Sequence, residues 1–446
     1  MDERLIREIQ KSNPWWYHKK EQLPSYKRTI FSSLEKYLKN KHIFAIIGLR
    51  RVGKTVLMKQ LIESIRSSIN AENILFFTFE EQWGSTAILE EILYFFLETK
   101  AQSQRTYIFL DEIQKVKGWE EILKRFYDRT PTIKFVVSGS ASLNISKSIE
   151  SLAGRIIDVY IGPLSFKEFL DFHGIHLQIR ETTMEYSFFT TLYQNNLHQK
   201  EKLVSLFNEY LFKGGFPEIA TEKDDILIQK YIKNSVIDRI VLKDIPDEFP
   251  IKNIAALRGI IEFASRESSG ILVIDSLASI LGINKETTSN YVEYLKRAFI
   301  LHILYNYTPS IGKQLRTSKK MHLVLPSIAI ATESYGRDVL THPEILGRYV
   351  ESLCAVMLSF KYEKLFFWRT PQKDEVDIVV KGKKLLPIEV KYQSQITNQD
   401  YKSLIKFCKR FHTNHALIIS KETFEKRTFQ GIHIECVPAW VFMLGI

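Results

Sequence analysis

The chain is poor in sulfur and has no long apolar run. Only three cysteines, Cys354, Cys408 and Cys436, occur in 446 residues. They are too few and too scattered for a disulfide framework or a zinc knuckle, and read as reduced thiols. No apolar stretch approaches the roughly 20 residues that a membrane helix needs, so no membrane contact is expected. The opening "MDERLIREIQKSN" alternates in charge and lacks the apolar centre of a secretion signal, which reads as a cytoplasmic protein. Internal repeats, low-complexity tracts and glycine–serine linkers are absent as well, so domain boundaries must come from changes in pattern. The 11 histidines and three cysteines form no HExxH, Ser/His/Asp or paired CxxC arrangement. Metalloprotease and serine-hydrolase chemistry therefore have no support.

What is present is an ordinary globular composition, 45% hydrophobic and 25% charged. The length allows two to four domains. The net charge of +11 and pI near 9.2 make an acidic partner such as nucleic acid plausible. Short β-branched or aromatic runs at 43–47, 74–79, 107–112, 133–138 and 156–161 are separated mostly by amphipathic helical stretches, which predicts a parallel sheet covered on both faces. From about 166 to 262 the pattern turns helical. Residues 263–330 hold two short helical segments and a strand-rich tail, and a second α/β unit begins near 342.

The first motif with chemistry is "GLRRVGKT" at 48–55, between the apolar run "IFAII" and the helical "VLMKQLIESI". Gly48, Gly53, Lys54 and Thr55 satisfy G-x-x-x-x-G-K-[ST]. The glycines let backbone N–H groups turn inward around phosphate oxygens, and the following helix N-terminus adds partial positive charge. Lys54 is expected on the β and γ phosphates of ATP, Thr55 on Mg²⁺, and Arg51, Val52 and Val56 complete the nucleotide-binding stretch. In "TYIFLDEIQ" a buried strand delivers Asp111 and Glu112 to the sheet's carboxyl edge. Asp111 is expected to hold Mg²⁺, and Glu112 to orient and deprotonate the attacking water. In "IKFVVSGSAS", Ser138 or Ser140 senses the γ-phosphate or the lytic water; a plain turn is the alternative. The strand bearing Asp111 is the second after the phosphate loop, which implies an inserted strand.

Together "GLRRVGKT", "FLDEIQKVKGWE", "VVSGSAS", "LAGR" and "GPLSFKEF" resemble the prokaryotic AAA-like and archaeal-type P-loop ATPases. That group commonly carries "GGFPE", here at 214–218, a winged helix and a C-terminal domain with a restriction-endonuclease-like fold. The resemblance implies an N-terminal segment at 1–30, an ATPase domain at 31–170, a helical connection at 171–262, a winged helix at 263–335 and an endonuclease-like domain at 342–446. It implies that Arg155 of "LAGR" acts as a cis arginine on the γ-phosphate; a surface salt bridge is the competing role. "NPWW" also matches the group's N-terminal signature, with Trp15 or Trp16 either stacking on adenine or packing on the sheet's edge.

The stretch at 271–304 reads as helix, turn at Gly282 and a second helix capped by Asn284, with Tyr291, Leu295 and Phe299 facing a core. Its exposed face is expected to present Lys285, Thr288, Ser289 and Asn290, with Lys296, Arg297, Lys313, Arg316, Lys319 and Lys320 nearby. DNA is the first expectation for its partner; a lid or protein-contact role is the other, and a homo-oligomer or protein partner stays open. In "EVDIVVKGKKLLPIEVKY", Glu389 and Lys391 share one strand face, and Asp377 lies opposite Glu389 after a tight turn. With Glu351 on the preceding helix, this resembles the D…E-x-K core of restriction-like nucleases. Asp377 and Glu389 are then expected to hold Mg²⁺ or Mn²⁺, and Lys391 to position water. A nucleic-acid-binding remnant and plain structural charge pairing are the alternatives.

Overall fold

The computed structural model describes residues 2–80, 83–101, 105–139, 152–179 and 183–446; the side chains of 311, 313 and 315 also fall outside the description. The chain divides into two compact units, 1–161 and 162–446.

The first unit is built on five parallel strands: β1 (Ile43–Ile47), β2 (Ile74–Thr78), β3 (Thr106–Asp111), β4 (Ile133–Gly139) and β5 (Ile156–Tyr160). Their order is β2-β3-β4-β1-β5. The inserted strand is thus β4, which lies between β1 and β3, whereas the intervening run in the sequence forms the edge strand β2. All residues of β1, β3 and β4 are buried, as expected of parallel strands with both faces covered. Helices α1 (Glu3–Ser12), α2 (Phe31–Leu38), α3 (Lys54–Ile65), α4 (Thr86–Thr99) and α5 (Trp119–Arg129) pack around it. The β2 edge is closed by the N-terminal segment. Asn13 Nδ2 donates to the Phe76 carbonyl at 2.9 Å and its Oδ1 accepts from Phe76 N at 2.7 Å. The indole N–H groups of Trp15 and Trp16 both donate to the Ile74 carbonyl. A strand edge that would otherwise invite pairing is thereby satisfied.

The second unit begins with helices and holds a nine-stranded mixed sheet. Its strands are β6 (Gly270–Leu272), β7 (Leu301–Asn306), β8 (Lys319–Leu323), β9 (Leu365–Arg369), β10 (Glu375–Lys381), β11 (Leu385–Lys391), β12 (His415–Ser420), β13 (Glu425–Phe429) and β14 (Ile432–Pro438). Their order is β13-β14-β12-β11-β10-β9-β7-β8-β6. The parallel pairing of β7 with β9, Tyr305 opposite Phe366, carries the sheet straight across the boundary expected near 335–342. The strand-rich tail of residues 263–330 and the strands of the C-terminal unit are one sheet.

Gly282 does end the helix Ile274–Leu281, and the Asn284 side chain accepts from Thr287 N at 2.7 Å to start the helix Lys285–Arg297. Tyr291 and Leu295 are buried, but Phe299 lies past the helix end at φ 59. Thr288, expected on the exposed face, is fully buried and donates to the Asn284 carbonyl. Lys285 pairs with Asp275 at 2.9 Å, and Lys296 and Arg297 both pair with Glu293 on their own helix. Ser289 and Asn290 remain exposed. The three cysteines are free, buried thiols.

Candidate active site

Strand register assembles the first site. Val137 of β4 lies opposite Leu110 of β3, so Ser138 comes alongside Asp111 at the carboxyl edge. Ser138 also lies opposite Ile46 of β1, one residue before the turn into the loop. The loop residues 48–53 therefore leave β1 beside both, and α3 starts at Lys54. Gly53 has φ 95, a left-handed conformation suited to glycine. A Cβ at Gly48 would lie 2.2 Å from the Ile161 carbonyl oxygen, so no larger residue fits there. Val52 is buried, and its carbonyl accepts from Arg28 Nη1 at 2.9 Å. Arg51, at φ 66, is exposed, and Val56 lies in the first turn of α3.

Lys54 is 5% exposed and curls back so that Nζ donates to the Gly48 and Leu49 carbonyls, both at 3.1 Å. Thr55 Oγ1 donates to Asp111 Oδ2 at 2.8 Å, and Ser138 Oγ donates to Asp111 Oδ1. Burial, and secondarily the charge of Glu112, raises the Asp111 carboxyl to about 6; the two hydroxyls and Lys54 pull the other way. Glu112 sits at φ 54, backbone strain placed on a residue expected to do chemistry. Its backbone N–H donates to Ser138 Oγ at 3.3 Å, and its Oε2 accepts from Gln114 Nε2 at 2.6 Å. Hard oxygen donors from Thr55 and Asp111, a lysine and a helix N-terminus form a donor set that fits Mg²⁺ and a polyphosphate.

Not every expected residue joins this edge. Ile43 of β1 pairs with Ile156 of β5, so Arg155 stands at the amino edge, about 20 Å from the loop at ~3.3 Å per strand residue. There its guanidinium grips Asp128 through Nε at 2.8 Å and Nη2 at 3.1 Å, the salt-bridge role. The Trp15 and Trp16 indoles are buried, and Trp16 stacks on Phe96 with centroids 6.0 Å apart. Their packing role is realised. Ser140 lies outside the described residues. Arg28 and Gln114 went unread in the sequence: Gln114 is two residues from Glu112, while Arg28 carries no local signal.

In the second unit the β10–β11 hairpin pairs Ile378 with Ile388, which sets Asp377 opposite Glu389 as expected. A bulge against β9 falls at Asp377–Ile378, between Val376 and Val379, and re-aims the chain locally. Glu351, on the helix Pro343–Ser359, and Glu375 complete the group. At its centre is Lys320 of β8, 2% exposed, with Nζ at 2.6 Å from Glu351 Oε1, 2.7 Å from Glu375 Oε1 and 2.9 Å from Asp377 Oδ1. Burial alone would lower the Lys320 pKa, but the charges of Asp377, Glu351 and Glu375 hold it well above the usual value. Burial would likewise raise Asp377, but Lys320, Lys391 and the Val390 N–H at 2.9 Å keep it below the usual range. Glu351 and Glu389 rise to about 8 through burial and then the charge of Asp377. Lys391 Nζ pairs with Glu389 Oε1 at 2.6 Å. Among the described residues no group of three or more His, Cys, Asp or Glu side chains is arranged to hold a metal ion. The expected metal role of Asp377 and Glu389 does not fit this arrangement. Lys320, expected from sequence only as one of the charges near the second helix's exposed face, is the residue that the reading missed.

A family model described as an AAA domain matches residues 40–170. The first unit carries a P-loop domain of the AAA kind. Two further models, both for domains of unknown function, DUF8612 and DUF4143, match 204–337 and 346–441. An uncharacterized protein of Methanocaldococcus jannaschii is 28% identical over 426 residues, covering 92% of this chain and 89% of its own. One of Haemophilus influenzae is 24% identical, covering 90% and 94%. Among solved structures, the Aeropyrum pernix ORC1 protein in complex with DNA aligns at TM-score 0.31 and 11% identity, over 73% of this chain and 95% of that one. At that score the likeness has no bearing on function. Among the described residues no helix is long and apolar enough to cross a membrane.

Proposed function

We propose that the chain is a magnesium-dependent ATPase whose nucleotide state regulates a second unit that binds nucleic acid, DNA first, without cutting it. The observation that carries the ATPase reading is the convergence of Thr55 and Ser138 hydroxyls on one buried carboxylate, Asp111, beside the glycine loop. Bound Mg²⁺ would supply charge neutralisation for the phosphates, with Thr55 and Asp111 as its protein ligands. Lys54 would exchange the Gly48 and Leu49 carbonyls for phosphate oxygens, its ammonium already lying inside the loop. Glu112 takes the proton of the attacking water as oxygen bonds to the γ-phosphorus and ADP leaves. Ser138 ties the two acids together and supports a role in registering the γ-phosphate.

The non-cleaving reading of the second unit is favoured by the ammonium of Lys320 among the acids that a metal would need. Nucleic acid as the partner rests on the net charge of +11. A second copy of the chain as partner has weaker support.

The test is binding of a fluorescent ATP analogue with Mg²⁺. Wild type is expected to bind, and Lys54→Ala to weaken binding by about 100-fold, roughly 2.7 kcal/mol. Arg155→Ala should leave turnover unchanged. A folded wild-type protein with no affinity for magnesium–ATP overturns the reading.

A further inference from the structure

Four carboxylates crowd one region of the second unit, and three of them meet a single ammonium. Lys320 Nζ is within 2.9 Å of oxygens from Glu351, Glu375 and Asp377. An ammonium has three protons and no acceptor; here one is donated to Asp377 Oδ1, and Glu351 and Glu375 crowd the same charge as ion pairs. A divalent cation with oxygen ligands would need the same oxygens at roughly 2.0–2.6 Å. The remaining charges are matched as well: Arg369 Nη1 lies 3.2 Å from Glu375 Oε2, and Lys391 holds Glu389 Oε1. Among the described residues two carboxylate oxygens of this cluster, Glu351 Oε1 and Glu389 Oε2, are buried with no hydrogen-bond partner, and the first of them already lies 2.6 Å from the Lys320 ammonium.

We propose that Lys320 is the resident cation of this cluster: its ammonium takes the position of a divalent metal, and the cluster binds no metal while Lys320 is present. Lys320 arrives from β8, whereas the acids come from the helix Pro343–Ser359 and from β10 and β11. The residue that displaces metal therefore also fastens the middle strands to the C-terminal layer of the sheet. Nucleic-acid contact by this unit is then independent of divalent cations. The inference stands apart from the nucleotide site and survives its failure.

Mn²⁺ binding to the nucleotide-free full-length protein, followed by the paramagnetic resonance of free Mn²⁺, tests it. Wild type and Glu389→Gln should bind equal numbers of ions. Lys320→Gln should gain one ion, unfold at a higher temperature in Mn²⁺ than in EDTA, and lose both effects when combined with Asp377→Asn. If Lys320→Gln does not fold, Lys320→Gln with Glu375→Gln removes one anion with the cation and takes its place. A wild-type ion that vanishes in Glu389→Gln, or a folded Lys320→Gln protein that gains none, overturns the proposal. Should neither lysine variant fold, the wild-type and Glu389→Gln counts decide alone: equality upholds it and loss of one ion sinks it.

Discussion

Asp111 and Asp377 are both strand carboxylates buried to within a few per cent, yet they are held in opposite ways. Asp111 receives two neutral hydroxyls, Thr55 and Ser138. Asp377 receives an ammonium, Lys320, and a backbone N–H, Val390. A hydroxyl is donor and acceptor at once and can turn its lone pair toward an arriving cation. An ammonium can only donate, and it is already the cation. Accordingly burial wins at Asp111, whose pKa rises to about 6, whereas positive charge wins at Asp377, whose pKa falls. The first carboxylate is kept at some cost in stability, as is common for sites that bind a ligand. The second is an interior ion pair.

The sharpest way to break this contrast is at the residue that uses the first site. Glu112→Gln should bind magnesium–ATP normally and lose turnover by about 10²–10⁴-fold, the range for removing a general base. Phosphate release measured beside nucleotide binding checks it; unaltered turnover would take the base role from Glu112.

Stability should separate the two aspartates next. Asp377→Asn leaves Lys320 short of a partner in a dry interior, and breaking a buried pair costs about 3–5 kcal/mol. Asp111→Asn removes an acid that burial already disfavours, and should leave the unfolding midpoint equal or higher near neutral pH. Thermal unfolding of both variants decides the matter, and an equal loss in each would erase the distinction.

The smallest expected effect is on pH dependence. Glu351 and Glu389 have folded pKa values of about 8 against 4.5 for the free side chain, so the folded state holds protons that the unfolded state gives up. Their contribution to stability is full below the unfolded value and is lost as pH rises toward 8. The midpoint of the second unit should therefore fall between about pH 5 and 8, and Glu351→Gln should flatten that fall. A midpoint that climbs through this window would contradict the assignment.

Much of the nucleotide site was legible because its signals are local. Gly53, Lys54 and Thr55 are contiguous, the "TYIFLDE" run shows a buried strand ending in acids, and Gln114 is within two residues of Glu112. The second cluster was half legible: the hairpin that pairs Asp377 with Glu389 is short-range, and Glu351 follows from an amphipathic helix. Lys320 was hidden in the basic run "TSKK", where one lysine, Lys319, stays partly exposed and its neighbour is buried. Arg155 failed for a related reason: it precedes β5 in the chain, but only the parallel pairing of β5 with β1 places that end at the amino edge of the sheet.

By itself the sequence determined the elements, the phosphate loop and the acids that end β3, because each depends on periodicity or on neighbours within a few residues. Tertiary structure alone decided that β4 is the inserted strand, that β7 pairs with β9 to join two expected domains into one sheet, and that Lys320 meets acids 31 to 57 positions away. Such choices rest on long-range strand register and on the need of a buried charge for an opposite one. Neither leaves a mark in any short window of residues.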